Sequence, residues 1–543
     1  MDVGETWQTS AASVAAAPRA FSVDRFVSQT SLLTGISAVA VIAVGAAAKL
    51  PEAILPIGTD TGMYATYARQ ILQGGRPYLD FYDVHPPLTY YYWVLVQALA
   101  GTDWSRTCLG SWGTLAPQPC ISVLAQVLDL ALTCVAGWLA YAIARRLELR
   151  PLVGVIAALL VAWFANASMI SMEGSTPTKL TLVPSTLAVY AYLRVERRGR
   201  LGWAIVSGAA GMLAGFAKQP GLLTLLALLA FSLPGLLRGD GTARRTLAGG
   251  GLGVFIVLVP TLTYIGAIGS LGGFLDQAWR YNAERFINGY WQTPAGLFSP
   301  ATRIDRVATE AAGVLFVSAL LGGVSLWFGP ASRRQRLLLV WGAFSLVAIA
   351  GFREFAQIVP SLALLAALAF DRLWQAAGRD GLGLGRPAAG RLALLTLFGA
   401  IFVLSSNFQV IELRRAILER GPNGKPTDPE QIASYLRESA PPGPIFVWGN
   451  AGQIYALSGR QPATRFVNAD FTNTTSPRPA LSRAQLIDDL RSHPASVIVV
   501  DPHADEPGLT LHDFPALAQV MDACYERVPR LPPNWGIFVN HCR

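Results

Sequence analysis

The chain has 543 residues, 52% hydrophobic and only 14% charged, with a net charge of +9 and a mean hydropathy of +0.39. Soluble globular proteins carry about 25% charged residues, so the composition excludes an ordinary soluble protein. No basic–aromatic module accompanies the positive charge, which excludes a nucleic-acid binder and leaves a cationic face against anionic membrane lipid.

Residues 1–30 are polar and Ala/Ser-rich, and are expected to form a disordered cytoplasmic N-terminus. The first apolar run begins too late, and is too long, for a cleavable signal peptide. About eleven apolar runs follow, near 31–49, 121–143, 152–170, 180–193, 201–217, 221–237, 247–268, 307–328, 337–351, 356–374 and 391–408. Such lengths suit a hydrocarbon core about 30 Å thick, and in lipid they must be helical because backbone groups need internal partners.

Arginines cluster in every second loop: Arg145, Arg146 and Arg150; Arg194, Arg197, Arg198 and Arg200; Arg238, Arg244 and Arg245; Arg333, Arg334 and Arg336; Arg372, Arg379, Arg386 and Arg391. Cytoplasmic loops carry the excess of Lys and Arg. The expected protein is therefore a multi-pass helical protein of the cytoplasmic membrane, with its transmembrane domain over 31–408 and its C-terminal segment outside. Cys108 and Cys120 fall in the first outer loop, and Cys524 and Cys542 in the C-terminal segment. An oxidising exterior makes two disulfides the favoured reading, with Cys134 alone in the second span.

The outer loops carry the polar chemistry. The longest, 51–119, starts with Asp60. Met63, Tyr64, Tyr67, Ala68, Ile71 and Leu72 then recur at helical spacing, predicting an amphipathic helix along the membrane surface that ends at Gly74-Gly75. Asp80, Asp83 and His85 precede Pro86-Pro87, and the run Tyr90-Tyr91-Tyr92-Trp93 reads as an interfacial anchor. Later outer turns contribute Glu173 and Lys179, Lys218 and Gln219, a loop over 270–306 with Asp276, Arg280, Glu284 and Arg285, and finally Arg353 and Glu354.

An acidic residue after the first span, a Tyr-rich surface helix, a Gly-Gly break and the run YLDFYDVHPPLTYY together resemble the GT-C superfamily of membrane glycosyltransferases. The nearest branch looks like that of the protein mannosyltransferases and aminoarabinose lipid A transferases, with their bacterial relatives. The segments FREFAQIVPSLALLAAL and FVWGNAGQIYALSGRQPATRFV are similar to later parts of that branch. Two positions depart from the pattern: His85 stands where Lys usually precedes Pro-Pro, and Asp60 is followed by Thr61 rather than a second acid.

The resemblance implies a sugar donor linked to a polyprenyl phosphate, a glycan, lipid or protein acceptor, and a GT-C-like helical fold. An attacking hydroxyl must lose a proton, and a carboxylate within reach can take it; Asp60 is the candidate base, its bland rival being a helix cap. The leaving phosphate needs cations, for which His85, Lys179, Lys218 and Arg353 are candidates. Asp80, Asp83 and Glu173 are candidate binding carboxylates, or solvated turn residues. A divalent metal is left open. Asp129, inside the second span, is expected to pair with a neighbouring helix or stay protonated.

From 409 to 543 the composition changes to loops and short alternating elements, predicting a small α/β domain with some parallel pairing. Strands are expected at Ile445–Trp448, Val497–Asp501 and Gly536–Asn540. The domain reads as an acceptor-binding or structural cap. The rival functions are a transporter or lipid-linked sugar flippase, which would show internal repeats and midplane charges, and a scaffold that recruits a partner.

Overall fold

The computed structural model describes residues 23–54, 57–109, 118–167, 170, 176–198, 201–285, 313–352, 355–380, 387–420, 426–505, 507–529, 532 and 534–542. The expected disordered N-terminus lies mostly outside them, as do Glu173 and Arg353.

The helices in chain order are α1 (Val23–Ile54), α2 (Thr59–Leu72), α3 (Leu88–Ala100), α4 (Cys120–Arg146), α5 (Pro151–Phe164), the single turn α6 (Pro177–Leu180), α7 (Leu182–Arg198), α8 (Leu201–Ala217), α9 (Leu222–Leu237), α10 (Gly241–Ala267), α11 (Gly313–Phe328), α12 (Arg333–Phe352), α13 (Phe355–Asp380) and α14 (Pro387–Arg420). Each expected apolar run coincides largely with one of them. By length and composition, Cys120–Arg146, Gln219–Leu237, Gly241–Ala267 and Ala356–Gly378 can each cross a membrane. The runs at 151–164, 201–217, 313–328 and 388–400 are shorter apolar helices.

Small residues let these helices approach closely, as in membrane bundles generally. A Cβ on Gly208 would meet the Gly250 carbonyl at 1.9 Å, and one on Gly253 would meet that of Ile205 at 2.0 Å, so α8 and α10 pack backbone to backbone. Helix α13 runs through the centre, 89% of its apolar window buried, whereas α10 is peripheral at 17%. The basic loops meet at one end of the bundle. Arg150 pairs with Asp371, Gln335 donates to the Leu147 carbonyl at 3.2 Å, Arg372 caps the Ser325 and Pro330 carbonyls, and Arg333 lies over the Phe231 ring.

The other end carries α2, the 76–87 loop and the C-terminal segment. That segment holds a four-stranded mixed sheet: β3 (Ile445–Trp448) runs parallel to β4 (Val497–Val500), β4 antiparallel to β6 (Gly536–Asn540), and β6 antiparallel to β5 (Tyr525–Arg527). A two-stranded ribbon, β1 (Thr107–Leu109) and β2 (Gln118–Pro119), precedes α4. Helices α15 (Asp428–Glu438), α16 (Gln453–Ser458), α17 (Pro479–Ser492) and α18 (Pro515–Cys524) complete the segment. Both disulfides, Cys108–Cys120 and Cys524–Cys542, are formed, and Cys134 is free.

The environment of α2 corrects one expectation. It is not half-exposed like an amphipathic surface helix: every residue from Thr61 to Arg69 is buried. The C-terminal segment covers it. Gly62 lies against the Gln453 backbone, where a Cβ would come within 2.3 Å, and the buried Arg69 guanidinium donates to the Tyr455 and Arg460 carbonyls at 3.1 and 2.6 Å. The aromatic run is likewise only partly superficial, since Tyr90 and Trp93 are fully buried.

Candidate functional site

Helix α2 begins at Gly58, which is extended and gives no side-chain cap; Asp60 therefore sits inside the first turn rather than at the cap position. A carboxylate there is favoured by the helix dipole, but no described residue hydrogen-bonds to it. It opens into a cleft of about 280 Å³ lined by Met63, Tyr64, His85, Tyr281, Arg285 and Asp470, among others. Burial pushes the Asp60 carboxyl above its ordinary value of 3.8, while the nearby charges of His85 and Lys218 pull it down and those of Asp83 and Asp470 push it up. Of these groups, His85 and Asp470 line the same cleft.

His85 is held by a framework that reaches across the fold. Asp83, fully buried, accepts from the His85 ring at Nδ1 (2.9 Å), from the Tyr90 hydroxyl (2.9 Å) and from the Val84 amide (2.7 Å). The Tyr78 hydroxyl donates to the His85 carbonyl at 2.7 Å, and the Tyr90 hydroxyl, which has one proton to share between Asp83 and this carbonyl, stands 2.8 Å from it. The Tyr64 hydroxyl stands 3.2 Å from His85 Nδ1. Tyr78 has a positive φ of 65°, a conformation that costs a non-glycine residue about 1 kcal/mol or more. Its carbonyl accepts from Gln277 at 2.8 Å, which helps to hold that strained turn.

Gln277 lies in a π-helical turn, Leu275–Tyr281, a feature common near functional sites. Gln219, beside Lys218, ties this turn to the motif, donating to the Ala278 carbonyl at 2.6 Å and the Val84 carbonyl at 2.8 Å. Four separate stretches of chain therefore fix one histidine and one short loop.

Asp60, His85 and Lys218 are brought together; Asp83 stands directly behind them as the partner of His85. Asp80 is not in the cleft: its exposed carboxylate accepts from the Arg76 amide at 2.7 Å and pairs with that side chain. Lys179 does not reach the cleft either. It is fully buried, donating to Asp129 at 3.1 Å and to Asn166 at 2.9 Å. Lys49 bridges the same Asp129 and Glu52, so the charge inside the second span is paired rather than neutralised. The burial of Lys179 follows from this: an unpaired Asp129 inside the bundle would cost about 3–5 kcal/mol.

Sequence reasoning did not select Arg285, Tyr64 or Asp470 as site residues. Arg285 and Tyr64 were visible as part of an outer loop and a helical stripe. Asp470 lies in a run of Asn, Asp and Thr with no periodicity, which reads simply as loop. Among the described residues no three His, Cys, Asp or Glu side chains converge as a metal set.

No family model matches the chain, and no curated protein matches its sequence. Solved structures match its fold. ArnT from Cupriavidus metallidurans in the apo state is 16% identical, with a TM-score of 0.56 over 95% of this chain and 98% of that one. The same protein bound to undecaprenyl phosphate aligns with a TM-score of 0.51 over 94% and 98%. The Archaeoglobus fulgidus oligosaccharyltransferase AglB, in complex with an inhibitory peptide and a dolichol-phosphate, is 12% identical, with a TM-score of 0.53 over 93% of this chain and 74% of that one. The chain therefore shares the fold of ArnT and of the archaeal oligosaccharyltransferase.

Proposed function

We propose that the chain is a glycosyltransferase that moves a sugar from a polyprenyl-phosphate donor to an acceptor hydroxyl at the outer face of the cytoplasmic membrane. The observation that carries this reading is the Asp60 carboxylate. It lines a cleft beside His85, with no hydrogen bond from any described residue, and burial pushes it up. A carboxylate in that setting is a better base than one in water.

The acceptor oxygen bonds to the anomeric carbon while the bond from that carbon to the phosphate oxygen breaks. The hydroxyl proton passes to Asp60, and the electron pair leaves with the polyprenyl phosphate, whose negative charge grows by one. Donors at His85, Lys218 and Arg285 meet that growing charge. Phosphate leaves readily, so no partner acid is required, unlike glycoside hydrolysis. One displacement inverts the anomeric centre.

The lipid half of the donor has a place as well. An apolar groove of about 340 Å³ runs between α3, α8 and α10, lined by Pro87, Tyr91, Leu213, Phe216, Pro260 and Tyr264. Pro87 is two residues from His85, so a prenyl chain in the groove brings its phosphate towards the histidine. The undecaprenyl phosphate of ArnT and the dolichol-phosphate of AglB support this class of donor.

The test is reconstitution in proteoliposomes with a panel of polyprenyl-phosphate sugars, following sugar transfer and polyprenyl phosphate release together. Transfer with inverted configuration is expected. Movement of the lipid-linked sugar across the bilayer without transfer overturns the reading in favour of a flippase.

A further inference from the structure

The cleft has two walls. One belongs to the motif loop and α2; the other is the C-terminal stretch 468–477. Five polar side chains of that stretch line the cleft: Asn468, Asp470, Asn473, Thr475 and Ser476. We propose that this stretch is the wall that reads the transferred sugar, with Asp470 as its specificity-determining carboxylate. The inference rests on the glycosyl-transfer reading above and names the part of the site that chooses the sugar.

Three observations carry it. First, the stretch is built as a fixed surface. At its start the Ala469 amide donates to the Gly449 carbonyl at 3.0 Å, and the Asn468 amide side chain donates to Asn450 at 2.9 Å. Asn468 Oδ1 accepts from the Asp470 amide at 2.8 Å. In the middle, Asn473 Oδ1 accepts from both the amide and the hydroxyl of Thr475 at 2.9 Å. At its end Arg478 clasps Asp276 at 2.8 Å and Glu284 at 2.6 Å, which joins the wall to the turn that carries Gln277 and Tyr281. A specificity surface must be held in this way, because loosely held donors and acceptors discriminate poorly.

Second, Asp470 lines the same cleft as Asp60 and Tyr281, and its charge is felt at both. Phe471 beside it packs on Tyr82 and Tyr281, with ring centroids 5.1 and 6.2 Å apart, so the backing is aromatic and rigid. Third, at about 280 Å³ the cleft is of a size to hold a sugar ring.

The chemistry fits a polyhydroxylated ring. An ionised carboxylate accepts hydrogen bonds from two neighbouring hydroxyls, and charge-assisted bonds of this kind are the strong ones. A sugar lacking one of those hydroxyls leaves the carboxylate short of a donor.

The experiment compares wild type, Asp470→Asn and Asp470→Glu with a parent polyprenyl-phosphate sugar and its ring-deoxy analogues. Asp470 is exposed at the cleft edge, so the isosteric variant is expected to fold, which a melting curve checks. Asp470→Asn is expected to lower kcat/KM for the preferred sugar by about 10- to 100-fold. It should leave the deoxy analogue that lacks the contacted hydroxyl unchanged, and the acceptor KM unmoved. Equal kcat/KM for all donors in wild type and variant overturns the inference, as does a change confined to the acceptor KM. A covalent glycosyl adduct on Asp470 also overturns it, because Asp470 is then a nucleophile. If Asp60→Asn abolishes transfer while Asp470 is inert, this inference alone fails. If wild type transfers no sugar from any donor, the glycosyl-transfer reading fails and takes this inference with it.

Discussion

Two polar clusters in this molecule use the same kinds of side chain to opposite ends. In the first, Lys49, Glu52, Asp129, Lys179 and Asn166 lie within the helical bundle, each buried and each with a charged or amide partner in the set. In the second, Asp60, His85 and Asp470 line a cleft that admits a ligand, and the charge of Lys218 is felt at Asp60. The first cluster has two acids and two amines and is formally neutral, so it joins α1, α4 and α6 without needing anything from outside. In the second, the Asp60 carboxylate is without a hydrogen bond among the described residues. A buried charge that is already paired is structural; one held ready without a partner in a cleft is available for chemistry.

The largest expected effect separates the clusters by what each loss costs. Asp60→Asn should reduce turnover by about 100- to 10,000-fold, the range for a lost general base, without unfolding the protein. Asp129→Ala should do the reverse. It leaves Lys49 and Lys179 without their shared partner, and breaking a buried pair costs about 3–5 kcal/mol. Thermal melting should fall steeply, while the activity per folded molecule is largely kept. A catalytic collapse at full stability in Asp129→Ala breaks the comparison.

Asp83 lies between the two extremes, buried like Asp129 yet serving the cleft. Asp83→Asn should cost about 1–3 kcal/mol, because a buried Tyr90 hydroxyl and Val84 amide lose a charged acceptor. It should also lower kcat more than it raises KM, since His85 loses its orienting contact; kinetics and melting on one preparation check both.

The pH dependence sharpens the contrast further. Because the Asp60 carboxyl is raised, the acid limb of kcat/KM should lie above the ordinary aspartate value of 3.8. The stability sign follows from the same shift. With a raised pKa the folded state binds more protons than the unfolded state between the two values, so this group's contribution to stability falls as pH rises through that window. Asp60→Asn should therefore melt higher than wild type at neutral pH, and the difference should close below about pH 4, where both states are protonated. The smallest effect belongs to Asp80. Its pairing with Arg76 is exposed, so Asp80→Ala should change stability by about 0.5 kcal/mol or less and leave turnover alone.

Much of the fold was legible because hydropathy is a one-dimensional signal. The apolar runs mark the helices, the alternating arginines mark one end of the bundle, and the two cysteine pairs join as their positions suggested. The motif residues Asp60 and His85 were legible for a different reason: the first loop is compact, so residues close in sequence stay close in space. Lys179 misled because a lysine in a short polar turn looks solvated, and only packing reveals that its side chain runs inward to Asp129. The burial of α2 was hidden for the same reason. Its stripe of Met63, Tyr64 and Tyr67 indicates one apolar face, whereas the second covering surface comes from Gln453 and Tyr455, nearly four hundred residues later. Asp470 was invisible because its neighbours carry no periodicity.

The measurement that bears most directly on the account is single-turnover transfer by purified wild type and Asp60→Asn, with donor binding measured on the same samples. The account predicts that the variant binds the polyprenyl-phosphate sugar as wild type does and transfers it at least about 100-fold more slowly. Equal transfer by both proteins would contradict it and remove Asp60 from the chemistry.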